Sequence, residues 1–213
     1  MQKIYIFTSV LISLLIFACG GSSKENSNSA PNKTPIKIDN GSYIMDISNS
    51  SIKWTGKEIS TKSHYGSLKM KEGSLTVMPD GNIKGKIDID MATIDCQDLE
   101  GRGKASLERH LRSDDFFSVE TFPIATLIFT SDGNLNKANQ LLFTGDLTIK
   151  DSTHPITFLA EINNNDQKLE AIANMSFDRS KYNVRFRSGT FFQNLGDKLI
   201  YDEIEMAVSI LTQ

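Results

Sequence analysis

The segment Ile83-Lys84-Gly85-Lys86-Ile87-Asp88-Ile89-Asp90-Met91 puts Ile83, Gly85, Ile87, Ile89 and Met91 on one side of an extended chain and Lys84, Lys86, Asp88 and Asp90 on the other. Successive side chains of a strand point to opposite faces, so this alternation reads as a half-buried strand. It recurs at Ile156/Phe158/Ala160/Ile162, at Leu169/Ala171/Ala173/Met175/Phe177 and at Ile204/Met206/Val208/Ile210. Shorter versions lie at Ile52/Trp54, Leu75/Val77, Ala125/Leu127/Phe129, Leu147/Ile149 and Val184/Phe186, for eight or nine strands in all. Turn residues separate them, as in Pro79-Asp80-Gly81-Asn82, Asp132-Gly133-Asn134 and Asn163-Asn164-Asn165-Asp166. Such short links join antiparallel neighbours. The exception is 104–112, where Leu107 and Leu111 fall four apart beside Ala105 and follow Gly101 and Gly103. That spacing predicts a short amphipathic helix. The expected fold is all-β and antiparallel with one short helix. Periodicity leaves open whether the strands close as a barrel, able to hold one small ligand, or stack as a filled sandwich.

The N-terminus carries a separate message. Lys3 precedes an apolar run over 4–17, and small Ala18 precedes Cys19. This is the layout of a secretory signal, and the run is shorter than the roughly 20 residues that span a bilayer. The placement of Cys19 resembles the bacterial lipobox, in which the thiol is lipidated, the signal is cleaved before the cysteine and the new amino terminus is acylated. Residues 20–35 are mostly Gly, Ser, Asn, Lys, Pro and Thr with almost no apolar side chain, a composition of a flexible tether rather than a core. The division expected is 1–18 signal peptide, 19–42 lipidated cysteine and tether, and 43–213 a single folded domain. Several acyl chains on Cys19, palmitate among them, would anchor that domain to a membrane. Gly20 after the cysteine points, by analogy with enteric bacteria, to the outer membrane or cell surface in preference to the inner membrane.

Side-chain chemistry is sparse. With 23 Lys and Arg against 26 Asp and Glu, the net charge of −3 offers no basic excess for nucleic acid. Two cysteines, one of them Cys19, exclude a disulfide framework within the domain. Cys96, next to Ile94, reads as a small buried hydrophobe. His64, His110 and His154 show no metal-ligand spacing, and no Gly-x-Ser-x-Gly elbow is present, so neither a metal nor a catalytic set is expected. Asp88 and Asp90 share a face with Lys84 and Lys86 and read as solvated surface. Arg179, in Asp178-Arg179-Ser180-Lys181-Tyr182, reads as making structural hydrogen bonds at a strand end or as pairing with an anionic head group.

In combination the motifs resemble the YceI-like family of polyisoprenoid-binding proteins. The resemblance opens with Tyr43-x-x-Asp46, Ser51-Ile52-Lys53-Trp54-Thr55-Gly56-Lys57 and His64-x-Gly66, and continues through Gly85-x-Ile87-Asp88-Ile89-Asp90-Met91-x-x-Ile94. It extends over His110-Leu111-Arg112-Ser113-Asp114-Asp115-Phe116-Phe117, Phe122-Pro123-x-Ala125, Gly145-x-Leu147-Thr148-Ile149-Lys150 and Phe177-Asp178-Arg179-Ser180-x-Tyr182. It implies an eight-stranded antiparallel lipocalin-like barrel that holds a long-chain isoprenoid or other amphiphile as ligand, without catalytic residues, metal or further cofactor. Asn183 departs from the glycine common there in the family, and asparagine tolerates the left-handed backbone glycine would supply. From the phase of the strands, Ile87, Ile89, Met91, Phe158, Met175, Phe177, Met206 and Val208 are expected to line the cavity. His64, His110 and Arg179 are the candidates for its mouth. The alternative is a surface interaction protein, its barrel filled by the same Met and Phe side chains, that binds partners through its loops.

Overall fold

The alternating segments become strands because each can bury one face only by curling that face against the others. The computed structural model describes residues 36–136, 138–165 and 168–213; the expected signal segment, Cys19 and most of the tether lie outside them. The strands are β1 (Gly41–Ile44), β2 (Ser51–Lys57), β3 (Ser63–Val77), β4 (Ile83–Cys96), β5 (Ile124–Ser131), β6 (Gln140–Ile149), β7 (Ser152–Asn165), β8 (Lys168–Asp178) and β9 (Glu203–Leu211). All pairings are antiparallel, in the order β3-β2-β9-β8-β7-β6-β5-β4, and β4 pairs back onto β3. The eight strands β2 to β9 therefore close a barrel of lipocalin-like form, which removes every edge of that sheet but the short flank left to β1.

β1 and β2 share one flank of β3. β2 covers its first half, from Lys57↔Ser63 to Ile52↔Leu68, and β1 covers its last residues, from Ile44↔Ser74 to Gly41↔Val77. Between the two, Asp46 accepts the backbone N–H groups of Ser48 and Asn49 in a tight turn. Met45 bridges to Thr212 and is 1% exposed, so the chain before β2 already belongs to the core. In β3 the register with β4 slips twice, between Ser67 and Lys69 and between Met70 and Glu72. Such bulges break the alternation of Leu68, Met70 and Leu75 and bend the strand around the barrel. At Gly66 a Cβ would lie 1.8 Å from the Asp95 carbonyl oxygen and 2.8 Å from Trp54 Cζ2, so only glycine lets β3 approach β4 and the indole there.

The two barrel ends are built differently. At the end where β2, β4, β6 and β8 finish, called upper here, lie the helix α1 (Gly101–Arg112) and the 179–202 connection. Leu107 and Leu111 of α1 pack against Met91, Ile94, Phe116 and Leu127 as the sequence spacing requires. Arg112 fastens the helix to the barrel by donating to the carbonyls of Ala92 and Ile94. The helix starts at Gly101, three residues earlier than the apolar spacing indicates, and both Gly101 and Gly103 lie inside it. The segment Val184/Phe186 is not a strand. Asn183 (φ 56°) and Arg187 (φ 51°) are left-handed and turn the chain across the barrel end, where Val184 is fully buried. At the lower end Met45, Leu75, Ile83, Leu141, Ile162 and Leu169 pack into a second cluster.

Candidate functional site

The inward faces are packed at both ends and loose between them. Leu68, Ile89, Phe129, Phe158 and Met175 touch both end clusters, yet each is only half-buried. An inward-facing side chain in a closed barrel that keeps accessible surface must face a void, and a cavity of about 220 Å³ runs along this waist. Its wall is almost wholly apolar. Phe143 stacks on Phe158 with centroids 5.5 Å apart and meets Phe129 edge-on at 5.6 Å, forming one aromatic wall across β5, β6 and β7. Met175 and Met206, paired across β8 and β9, supply flexible thioethers on another side.

Each of Ile87, Ile89, Met91, Phe158, Met175, Phe177, Met206 and Val208 lines this cavity. Strand phase does not single out Leu68, whose alternation the β3 bulges hide, or Phe143; Trp54 and Phe129 fall on apolar strand faces but not among the expected cavity residues, and all four line it. Trp54 Nε1–H is buried in the wall without a hydrogen-bond partner. An unpaired buried donor is costly, so this N–H is a point where an acceptor atom of a ligand would be stabilised.

The three mouth candidates separate. His64, at the start of β3, lines the upper end of the cavity together with Lys57, Glu58 and Ile200. Its Nδ1 is 2.7 Å from Asp98 Oδ2, and since an ionised carboxylate only accepts, Nδ1 carries the proton. Asp98 also accepts the Tyr65 N–H at 2.9 Å and the Cys96 S–H at 3.2 Å. Burial opposes ionisation of Asp98, but these donors hold its carboxyl below the usual carboxylate range. Burial, with Asp98 adding to it, pushes the Cys96 thiol up.

Arg179 also borders the cavity, but its guanidinium is committed to protein. Nε donates to the Tyr201 carbonyl, Nη1 to that of Val184 and Nη2 to that of Ile200, at 3.2, 3.0 and 3.1 Å. Nη2 is also 3.1 Å from Asp202 Oδ1 in an ion pair. Of the two roles the sequence left open, the structural one describes these contacts. His110 does not reach the cavity. On α1 it lies edge-on to Phe116 and Phe186 at 4.9 and 4.4 Å, and its Nε2–H donates to Asp115 Oδ2 at 3.0 Å. A residue on the outer side of a helix that covers the barrel end cannot line the chamber beneath. His154 Nε2–H donates to the Lys181 carbonyl at 2.9 Å, tying β7 to the upper connection. Asp88, on the outer face as its phase requires, is nonetheless buried between Lys86 Nζ and the Thr126 hydroxyl, both at 2.7 Å.

A closed antiparallel barrel with packed ends and an apolar chamber between them defines a barrel protein with room for an apolar ligand. The chain belongs to the YceI-like family, whose YceI-like domain matches residues 43–211. It is 28% identical over 146 residues to the UPF0312 protein plu2095 of Photorhabdus laumondii, covering 68% of this chain and 71% of that one. To Protein YceI of Salmonella arizonae it is 32% identical over 98 residues, 46% of this chain and 48% of the relative. Among solved structures, Burkholderia cenocepacia BcnA superposes with a TM-score of 0.62 at 20% identity, over 79% of this chain and 99% of that one. A polyisoprenoid binding domain from Saccharophagus degradans superposes with a TM-score of 0.56 at 12% identity, over 80% and 97%. These two likenesses are of fold.

Proposed function

We propose that this chain is a membrane-anchored lipid-binding protein that holds a polyisoprenoid or another long-chain amphiphile in the barrel cavity, for carriage or storage in the bacterial cell envelope. The observation that carries this reading is the half-buried waist, where Ile89, Phe158, Met175, Met206 and Val208 turn inward onto an apolar void. A hydrocarbon chain placed there would remove that surface from water at about 25 cal/mol per Å². The unpaired Trp54 N–H and the rim residue His64 sit at the upper end, where a polar head group would be oriented. The structural likeness to a polyisoprenoid binding domain supports a prenyl chain as the first candidate.

The test is to purify the protein from its native membrane, extract it with organic solvent and analyse the extract by mass spectrometry. A prenyl or acyl amphiphile in stoichiometric amount is the expected result. An emptied barrel that takes up neither a prenyl nor an acyl chain would overturn the reading.

The anchor rests on the sequence around Cys19 and is tested on its own. Cys19→Ser is expected to move the protein from the membrane fraction to the soluble fraction while leaving the unfolding midpoint of the barrel unchanged, because among the described residues the first to pack against the barrel core is Ile36, well after Cys19. A variant that stays with the membrane would refute lipidation of Cys19 as the attachment.

A further inference from the structure

The upper rim carries a second cluster whose chemistry differs from that of the chamber and does not depend on the lipid reading. We propose that His64, Cys96 and Asp98 form a binding site for a divalent transition-metal ion of the zinc type. One imidazole nitrogen, one thiol sulfur and one carboxylate oxygen lie within 4.8 Å of one another. This mixed donor set suits zinc and its neighbours, whereas magnesium and calcium select oxygen alone. Around a zinc ion, with bonds of about 2.0–2.3 Å, such atoms stand about 3.3–3.8 Å apart. The observed separations of 2.7 Å between His64 Nδ1 and Asp98 Oδ2, and 3.2 Å between Cys96 Sγ and Asp98 Oδ1, need only side-chain adjustment to reach that geometry.

The scaffold is rigid where a ligand set needs it to be. Gly66 and Cys96 are paired residues of β3 and β4, so His64 and Cys96 are held across one ladder. The Gln97 N–H donates to the Tyr65 carbonyl at 2.8 Å, continuing the pairing to the residue before Asp98. Asp98 is fixed by the Tyr65 N–H, and the Cys96 N–H is held by Glu108 Oε1 at 3.0 Å. Sequence spacing conceals the site because its donors come from two strands and the loop after the second.

On binding, a bond from Cys96 Sγ to the metal replaces the S–H bond and the thiol proton leaves to solvent. His64 binds through Nδ1 as the neutral ring, its proton moving to Nε2, and Asp98 binds as carboxylate. The three protein ligands leave one of four positions for water. The His64 side chain is 33% exposed at the rim, so the ion would meet the imidazole from solvent before the fully buried sulfur.

Zinc and cobalt(II) titrations of the full chain decide the matter, with uptake followed by calorimetry and thiolate coordination by the near-ultraviolet sulfur-to-cobalt absorption. One ion per chain is expected, with the sulfur band present in the wild type and lost in Cys96→Ser. His64→Gln and Asp98→Asn should each weaken zinc by about 10-fold or more. Circular dichroism establishes that each variant is folded; if Cys96→Ser does not fold, the wild-type band and the His64→Gln affinity decide. The absence of stoichiometric uptake by the wild type would overturn the site, as would a band that persists in Cys96→Ser or an affinity unchanged in folded His64→Gln.

Discussion

Replacing Arg179 with alanine is expected to destabilise the barrel by about 3–5 kcal/mol, the range for removing one partner of a buried ion pair. At 1% exposure the guanidinium is among the most deeply buried side chains, and burial pulls its affinity for the proton down while Asp202 opposes that pull. It is held because its planar fork donates to the carbonyls of Val184, Ile200 and Tyr201 at once and still faces Asp202. Alanine would leave three carbonyls without these donors and a carboxylate whose remaining partners are the Ser188 and Thr190 hydroxyls. Arg179→Lys should recover only part of the loss, since a single ammonium cannot satisfy the same fork. Urea unfolding followed by circular dichroism checks this through the midpoint at constant slope. A shift under about 1 kcal/mol would mean that the 179–202 connection is held by its apolar contacts alone.

Met175→Trp is expected to abolish most lipid uptake while leaving the barrel folded. Large residues forced into a packed core strain it, but Met175 borders a void, so the added ring has somewhere to go. Displacing two or three methylenes of a bound chain, at about 0.8 kcal/mol each, corresponds to a loss of affinity of more than about 10-fold. Titration of a fluorescent prenyl or acyl probe measures it, with the thermal midpoint as the control for folding. Unchanged probe affinity in a folded variant would place the hydrocarbon site elsewhere.

The sequence was most legible where one face is buried and the other wet. The runs from Ile83, Ile156, Leu169 and Ile204 became β4, β7, β8 and β9 in the phase read from them, and their inward residues are those that line the chamber. Three things were not legible, each for a physical reason. β3, the longest strand of the barrel, is legible only at its Leu75/Val77 end because two register shifts break the alternation before it. Val184 and Phe186 alternate like a strand but are apolar because they plug the barrel end. His110 sits in one of the motifs that carry the resemblance, yet helical geometry turns it onto Phe116 and Phe186 rather than inward. Closure itself left no trace in the periodicity, because a filled core and a hollow one demand the same inward alternation. Resemblance, not phase, selected the barrel.

The seam between β2 and β9 has a kinetic consequence. It joins Ser51 to Ser209 and Ile52 to Val208, residues from opposite ends of the domain, while every other ladder of the barrel connects strands adjacent in the chain. Hairpins of neighbours form at small loop-closure cost, whereas a seam across the whole domain must wait for the intervening strands to fall into place. The last step of folding is then the capture of β9 by β2. Until it happens, two open strand edges are available to other chains, so the polypeptide is most prone to aggregate just before its barrel shuts.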